Sequence, residues 1–162
     1  MTPWPEPVER VARFARETGA EVRIEEFLEG TPTAVDAANA VGASLGQIVK
    51  SLVFECDGQA VVALVPGDRR ADPRKVAAAA GAERAKVAGP ERVREVTGFE
   101  AGAVAPFPLP QVDKVFIDPR LLRHDRLWIG AGSKRHMASL PSSELVRLSR
   151  AQPADVSDDT SR

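Results

Sequence analysis

The sequence is poor in the residues that build disulfides, metal sites and base-stacking surfaces. It has no tyrosine, one cysteine (Cys56) and two histidines (His124 and His136), and aromatic residues make up 5% of the chain. A single cysteine excludes an intramolecular disulfide, and these three ligands are too few for a typical structural zinc site. So few aromatic residues argue against a sheet that stacks several bases. We expect no metal, no cofactor and an aliphatic core.

Neither sign of charge dominates, and long apolar runs are absent. Lys and Arg number 22 and Asp and Glu number 23, which gives a formal net charge of −1. This balance argues against a protein that coats nucleic acid non-specifically, although a local basic patch can still contact a polyanion. No apolar run is long enough to span a bilayer, and the first residues lack the pattern of a secretory signal. The sequence predicts a cytoplasmic protein with no membrane partner.

The sequence does contain an irregular mixture of strand and helix patterns. Two strand-like segments flank Asp57-Gly58, a strong hairpin signal. Helices are predicted over residues 5–18, 34–41, 73–80, 90–96 and 142–148. Strands are predicted over residues 21–27, 47–56, 59–65, 84–87, 114–117, 127–129 and 136–140. Because this order has no βαβ repeat, it predicts an α+β fold with a mixed, partly barrel-like β-sheet and surrounding helices.

Length and composition predict the domain boundaries. A chain of 162 residues has the size of one domain, which we place at residues 1–150. From Ala151 onward apolar residues are few. We therefore expect residues 151–162 to form a flexible C-terminal tail.

One charged residue interrupts the apolar pattern of its strand. Side chains alternate along a strand, so Lys50 shares a face with Ile48 and Leu52. Burying an ammonium group costs several kcal/mol unless it is paired or hydrated. In the ordinary interpretation Lys50 reaches water or pairs with an acid. In the functional interpretation it points into a pocket toward an anionic group such as a phosphate, and the pattern alone leaves both open.

Two loops rich in small residues are candidates to complete such a pocket. Residues 102–106 (GAVAP) form a G-x-x-x-P loop, whose glycine allows close backbone approach to a ligand and can supply an oxyanion donor. Residues 130–136 (GAGSKRH) follow a strand and carry a hydroxyl, two cations and an imidazole. Taken alone, each segment is more often an ordinary loop or surface turn.

In this order, the segments resemble the YbaK/EbsC-type aminoacyl-tRNA deacylase family, which is related to the prolyl-tRNA synthetase editing domain. The matching segments are GQIVKSLVF at 46–54, TGFEAGAVAPF at 97–107, DKVFIDPRLL at 113–122 and LWIGAGSKRHMASLPSSELVRL at 127–148. The resemblance implies a hydrolase that acts in trans on mischarged tRNA and cleaves the ester to the 3′-terminal adenosine. It implies aminoacyl-tRNA as the partner and is compatible with a second partner, an aminoacyl-tRNA synthetase.

The resemblance also implies roles for individual residues. Lys50 corresponds to the lysine that anchors the terminal phosphate and ribose, and Gly102 to the loop glycine that orients the aminoacyl carbonyl. The expected catalytic residues are Lys50 and Gly102, and the expected substrate-binding residues are Ala103, Pro106, Gly132, Ser133 and His136. Members of the family use the 2′-hydroxyl of the substrate to orient water, so a Ser-His-Asp set is not required.

Two other functions are compatible with the same residues. One is a non-catalytic tRNA- or synthetase-binding module, and the other is an enzyme that forms a Schiff base through Lys50. An inward cation beside a flexible glycine loop favours the hydrolase over a pure adaptor. Cys56 is not a candidate partner of Lys50, because at about 3.3 Å per residue the two lie roughly 20 Å apart. We expect Cys56 to be a small buried hydrophobe.

Overall fold

A computed structural model describes residues 4–159; residues 1–3 of the predicted domain and 160–162 of the predicted tail lie outside the described residues. The helices in this range are α1 (Glu6–Glu17), α2 (Ala34–Val41), α3 (Pro73–Ala80), α4 (Pro90–Thr97) and α5 (Ser142–Ser149). The strands are β1 (Arg23–Glu26), β2 (Val49–Cys56), β3 (Gln59–Pro66), β4 (Ala85–Val87), β5 (Lys114–Ile117), β6 (Arg126–Ser133), β7 (His136–Pro141) and β8 (Gln152–Pro153). Short 3₁₀ helices cover Leu45–Gln47 and Pro119–Arg123. None of the helices in this range is long and apolar enough to cross a membrane.

The strands of residues 4–159 form two sheets. The smaller sheet is antiparallel and has the order β1-β7-β6. The larger has the order β4-β2-β3-β5-β8, antiparallel from β4 to β3 and parallel from β3 to β8. A parallel bridge between Ile48 and Trp128 joins the two sheets. The predicted α+β class with a mixed sheet is confirmed, and within the described range the two sheets adjoin without closing a barrel.

Turns and caps explain why the elements begin and end where they do. Asp57 and Gly58 have φ values of 52° and 88°, and a two-residue hairpin turn needs such positive values. Thr33 and Asp72 precede α2 and α3, and their side chains accept hydrogen bonds from backbone N–H groups of the first helical turn. These local interactions set the ends of β2, β3, α2 and α3.

The main hydrophobic core fills the space between the two sheets. It joins the inner faces of β2, β3, β6 and β7 to α1, α4 and α5. A second cluster packs α3 against the opposite face of β2 and β3 and contains Cys56. Cys56 is 2% exposed, and burial, followed by the charges of Asp57 and Glu55, raises the pKa of its thiol. It is the small buried hydrophobe that the sequence predicts.

The C-terminal segment differs from the predicted flexible tail. Gln152–Pro153 forms β8 beside β5, and Val156 and Ser157 are fully buried. Val156 belongs to the cluster between α3 and the larger sheet. Lys75 of α3 binds two carboxylates of the same segment. Val156, the pairing of β8 with β5 and these ion pairs therefore hold residues 151–159 in place, and Ala151 and Ala154 also pack against the core clusters. A count of apolar residues does not detect this.

Candidate active site

A cavity of about 340 Å³ lies where the first half of β2 meets the loop after α4 and the hairpin of β6 and β7. Its walls are formed by residues 31–34, 37, 48–52, 102–104, 130, 133, 134, 136 and 137. A larger and more open groove of about 880 Å³ lies beside Trp128 on the smaller sheet, away from these segments. The segments around Lys50, Gly102 and Ser133, which are distant in sequence, thus line one cavity.

The first half of β2 has a paired neighbour strand on one side only, and the cavity lies at its unpaired edge. Strand β3 pairs with β2 along its whole length, whereas β4 pairs only with its last three residues. The edge of residues 49–52 therefore borders open space. On the opposite wall, a Cβ on Gly130 would lie 3.3 Å from the carbonyl oxygen of Val104, so this glycine lets the loop approach β6 closely.

Lys50 is half-buried in the cavity wall. The structure has features of both interpretations, a side chain in a pocket and an ammonium group with a protein partner. Its side chain lines the cavity, while its Nζ donates a hydrogen bond to the carbonyl oxygen of Arg69 in the loop after β3. Burial lowers the pKa of the Lys50 ammonium; Asp158 and Asp68 oppose this effect and Arg70 adds to it. The ammonium is therefore a partly buried cation that donates to one carbonyl and lies in the field of two carboxylates, without an ion pair to either in the part of the chain that the structure describes.

The loop that holds Lys50 is fixed in turn by the C-terminal segment. The N–H of Asp158 donates to the carbonyl of Arg70 at 2.8 Å, and the N–H of Asp72 donates to the carbonyl of Val156 at 2.8 Å. The segment that was expected to be flexible therefore supports the wall behind Lys50. No motif or spacing in the sequence indicates this contact.

The loop of residues 102–106 presents its glycine to solvent and buries the residues after it. Gly102 has a φ of 84°, which favours glycine, although a Cβ there would make only an ordinary 3.7 Å contact with Lys134. The Ala103 N–H donates to the carbonyl of Glu100 at 2.9 Å, whereas the Gly102 N–H has no protein acceptor within residues 4–159. The Gly102 N–H is therefore available to a ligand.

Ser133 and His136 supply polar groups from the turn between β6 and β7. Ser133 Oγ lies 2.6 Å from His136 Nδ1, and both residues line the cavity. The imidazole is 3% exposed, and its ring meets that of Trp4 edge-on, with the ring centres 5.3 Å apart. Burial lowers the pKa of His136; Glu26 opposes this effect and Arg135 adds to it. The imidazole is therefore neutral near pH 7.

Gly132 and Pro106 were expected to bind substrate; both are buried, and neither is among the residues that form the cavity wall. Gly132 has a φ of 101°, and a Cβ there would lie 2.8 Å from the carbonyl oxygen of Pro7. This close approach to α1 accompanies the irregular register between Gly130 and Ser133. Gly132 therefore positions the hairpin turn, and Pro106 is buried under its loop.

Sequence reasoning missed Ser51, which lines the cavity from the free edge of β2. Its hydroxyl is buried and has no hydrogen-bond partner among the residues that the structure describes. Buried hydroxyls normally have a partner, so this one is a candidate ligand contact. Strand alternation places Ser51 on the same face as Val49 and Val53, and a small polar residue between two core valines was the available signal.

The charges on the wall are of one sign. Of the charged residues that the structure describes, Lys50 and Lys134 line the cavity, and no Asp or Glu does. Within residues 4–159, no group of three or more His, Cys, Asp and Glu side chains converges closely enough to hold a metal ion. The wall thus suits a ligand that carries negative charge.

The family is decided by the match of residues 29–148 to the family described as the aminoacyl-tRNA editing domain. The chain belongs to this family. It is 32% identical over 154 residues to the multifunctional Ser/Thr-tRNA deacylase ProXp-y of Escherichia coli (strain K12), and this match covers 90% of this chain and 88% of that protein. It is 36% identical over 105 residues to the proline–tRNA ligase of Nitratidesulfovibrio vulgaris (strain DP4), and this match covers 65% of this chain and 18% of the ligase.

A solved structure extends the similarity to the whole fold. A crystal structure described as a candidate trans-editing enzyme for prolyl tRNA synthetase superposes with a TM-score of 0.89 at 35% identity, covering 96% of this chain and 99% of that one. These comparisons confirm the family resemblance and the α+β fold. The family match contains all of the cavity wall, while Trp4 and the segment of residues 151–159 lie outside it.

Proposed function

We propose that this chain is a trans-editing hydrolase that deacylates mischarged aminoacyl-tRNA by cleaving the ester to the 3′-terminal adenosine. The observation that carries the proposal is a cavity with two lysines, a glycine loop with a free N–H and no carboxylate. Membership of the editing family supports the same reaction. A tRNA substrate implies a cytoplasmic protein, and an aminoacyl-tRNA synthetase is a compatible second partner.

In this proposal Lys50 anchors the terminal phosphate and ribose. Its ammonium lies in a half-buried wall, where a charge interacts more strongly than it does in bulk water. Among residues 4–159 its Nζ has one hydrogen-bond partner, the carbonyl of Arg69, which leaves further donors for a ligand. A phosphate oxygen would give this cation a charged hydrogen-bond acceptor, which neither the Arg69 carbonyl nor Asp158 and Asp68, which act on it without an ion pair, supply.

The loop of residues 102–106 orients the carbonyl group of the ester. An aminoacyl ester is already activated, so positioning and oxyanion stabilisation contribute more than a strong nucleophile. Water, oriented by the 2′-hydroxyl of the ribose, adds to the carbonyl carbon, and the resulting oxyanion accepts a hydrogen bond from the Gly102 N–H. The bond to the ribose 3′ oxygen then breaks, and that oxygen takes the proton released by the water. The products are free amino acid and uncharged tRNA.

The small side chains in the cavity wall favour a small amino acid. Its wall contains the small side chains of Ala34, Ala37 and Ala103, with Ile48 and Met137 beside them. Such a wall leaves space for a side chain of the size of alanine, serine or cysteine.

The test is the release of amino acid from a panel of mischarged tRNAs by wild-type protein, Lys50→Ala and Lys114→Ala. Lys114 is a matched control, because it also donates to a main-chain carbonyl, that of Ala80, and lies outside the cavity. We expect rapid release from one or a few pairs and a loss of about tenfold to hundredfold in kcat/KM for Lys50→Ala, since a contact to a charged group is removed. Lys114→Ala should hydrolyse the same pairs at the wild-type rate.

No release from any pair by folded wild-type protein would contradict the hydrolase. If tRNA still bound, the chain would be a non-catalytic tRNA-binding module. The lowered pKa of Lys50 also makes a Schiff base with a small carbonyl compound chemically reasonable. Borohydride trapping of an adduct at Lys50 would support that alternative.

A further inference from the structure

Three side chains form a line that starts in the cavity and ends at the protein surface. Ser133 Oγ lies 2.6 Å from His136 Nδ1, and His136 Nε2 lies 3.6 Å from a carboxylate oxygen of Glu26. Glu26 and His136 are directly opposite each other in the pairing of β1 with β7. The carboxylate is half exposed while the imidazole is buried. The register of the small sheet therefore connects a surface charge to a hydroxyl in the cavity.

The neighbours of the ring determine which nitrogen carries the proton when His136 is neutral. A proton on Nε2 faces the Glu26 carboxylate, and Nδ1 can then accept a hydrogen bond from the Ser133 hydroxyl. The other tautomer would direct the lone pair of Nε2 toward the carboxylate, which is repulsive. Neutral His136 therefore has its proton on Nε2, and Ser133 donates to Nδ1.

This arrangement turns Ser133 into an acceptor for a ligand. A hydroxyl has one donor position and two acceptor positions. The donor position is used by His136, and one acceptor position is used by the N–H of Arg135 at 3.0 Å. One acceptor position on Ser133 Oγ remains for a ligand in the cavity.

We propose that Ser133 Oγ binds the α-ammonium group of the aminoacyl ester, and that Glu26 is a positioning residue that keeps Ser133 an acceptor through His136. This inference rests on the proposed function. An ammonium group only donates hydrogen bonds, and the cavity wall has no carboxylate to accept them. An oriented hydroxyl oxygen would supply an acceptor in a wall that also carries Lys50 and Lys134.

Protonation of His136 would reverse the arrangement. An imidazolium donates from both nitrogens, so Nδ1–H would donate to Ser133 Oγ, and the serine proton would turn toward the ligand. That proton would repel an ammonium group. Binding of the ammonium is therefore lost as the pH falls through the pKa of His136, which burial holds below its usual value of 6.5.

The charged groups that face His136 come from two elements. Glu26 approaches from β1 and raises the pKa of the imidazole. Arg135 in the turn lowers it, and Lys134 of the same turn lines the cavity. The uncharged ring of Trp4 covers another side. Glu26 is therefore the negative charge whose removal should move the titration of His136 to lower pH.

The first test is the pH dependence of kcat/KM on the mischarged tRNA that is hydrolysed fastest. Glu26→Gln keeps an oxygen facing Nε2–H but removes the charge, so the acid limb of the profile should move to lower pH. Glu25→Gln is the matched control on the same strand, where Glu25 lies opposite Met137, and should leave the limb in place. A wild-type profile without an acid limb would overturn the inference. So would an acid limb that Glu26→Gln leaves in place or moves to higher pH.

The second test uses pairs of esters on one tRNA, alanyl against propionyl or seryl against 3-hydroxypropionyl. Each rate is divided by its uncatalysed rate, because the ammonium group itself activates the ester. Wild-type protein should prefer the amino form by about tenfold to hundredfold, as expected for a charge-assisted hydrogen bond. Ser133→Ala should hydrolyse both forms with little preference, and a wild-type preference in this variant would overturn the inference.

Failure of the proposed function gives a different pattern. In that case folded wild-type protein would release neither member of any ester pair, and both conclusions would be wrong. If wild-type protein releases amino acids while Ser133→Ala keeps the preference for the amino form, only the role of Ser133 is wrong. If Ser133→Ala does not fold, the pH profile of Glu26→Gln decides, since it leaves the serine in place.

Discussion

Replacing Gly132 with alanine tests whether the close approach of β6 to α1 sets the shape of the hairpin turn. Gly132 has a φ of 101°, and an added Cβ would lie 2.8 Å from the carbonyl oxygen of Pro7 and 3.1 Å from the nitrogen of Val8. Both neighbours are main-chain atoms, so no side-chain rotation can relieve the contact. Either α1 or the hairpin must shift.

Two costs add in this variant. An L-residue at positive φ costs about 1–2 kcal/mol, and forcing extra atoms into a packed contact costs about 1–3 kcal/mol. We therefore expect the free energy of unfolding to fall by about 2–5 kcal/mol. Gly19→Ala is the matched control, since Gly19 has a φ of 67° but nothing within 4 Å of its Cβ position. Only the backbone cost applies there.

Urea unfolding followed by circular dichroism measures the difference. Gly132→Ala should be less stable than Gly19→Ala by about 1–3 kcal/mol with an unchanged m-value. In thermal unfolding, each kcal/mol corresponds to about 2–4 °C in Tm for a chain of this size. Deacylation by still-folded Gly132→Ala should also fall, because the turn carries Ser133. Equal losses of stability in the two variants would refute the close-packing reasoning.

Two further perturbations test the edge of β2 and the C-terminal segment. Ser51→Ala removes a buried hydroxyl that lacks a partner in the described chain, so stability should hold or rise by up to about 1 kcal/mol while kcat/KM falls. Unchanged hydrolysis would show that Ser51 does not contact substrate. Ending the chain after Ala154 removes the fully buried Val156 and should lower the free energy of unfolding by at least about 1.5–3 kcal/mol. It should also lower kcat/KM, because Asp158, which holds the loop that binds Lys50, is removed as well. Wild-type stability and activity in the shortened chain would contradict its supporting role.

Most of the fold could be predicted because its signals are local. The Asp57-Gly58 turn and the caps Thr33 and Asp72 act over two to four residues, and the structure has the expected φ values and hydrogen bonds at each. The core faces of the strands follow from alternation. The order of residues 151–159 was not predicted because it depends on contacts with elements far away in sequence: β8 pairs with β5, and Val156 packs in the cluster that contains α3.

The candidate site was predictable in part. The family resemblance indicated Lys50, Gly102, Ala103, Ser133 and His136, and the structure brings these five residues to one cavity. Their roles in binding and catalysis stay predictions. The same resemblance also indicated Gly132, which does not line the cavity, because its position depends on how closely the hairpin packs against α1.

The sequence by itself determined the order of the elements from α1 to α5, the hairpin, the aliphatic core and the family. Only the tertiary structure decided which polar groups meet. Glu26 faces His136 because of the register between β1 and β7, and Ser51 reaches the cavity because β4 leaves the first half of β2 unpaired. Asp158 supports the wall behind Lys50 because the C-terminal segment crosses back over the loop after β3. These contacts join residues far apart in the chain, so their geometry exists only once the sheets have formed.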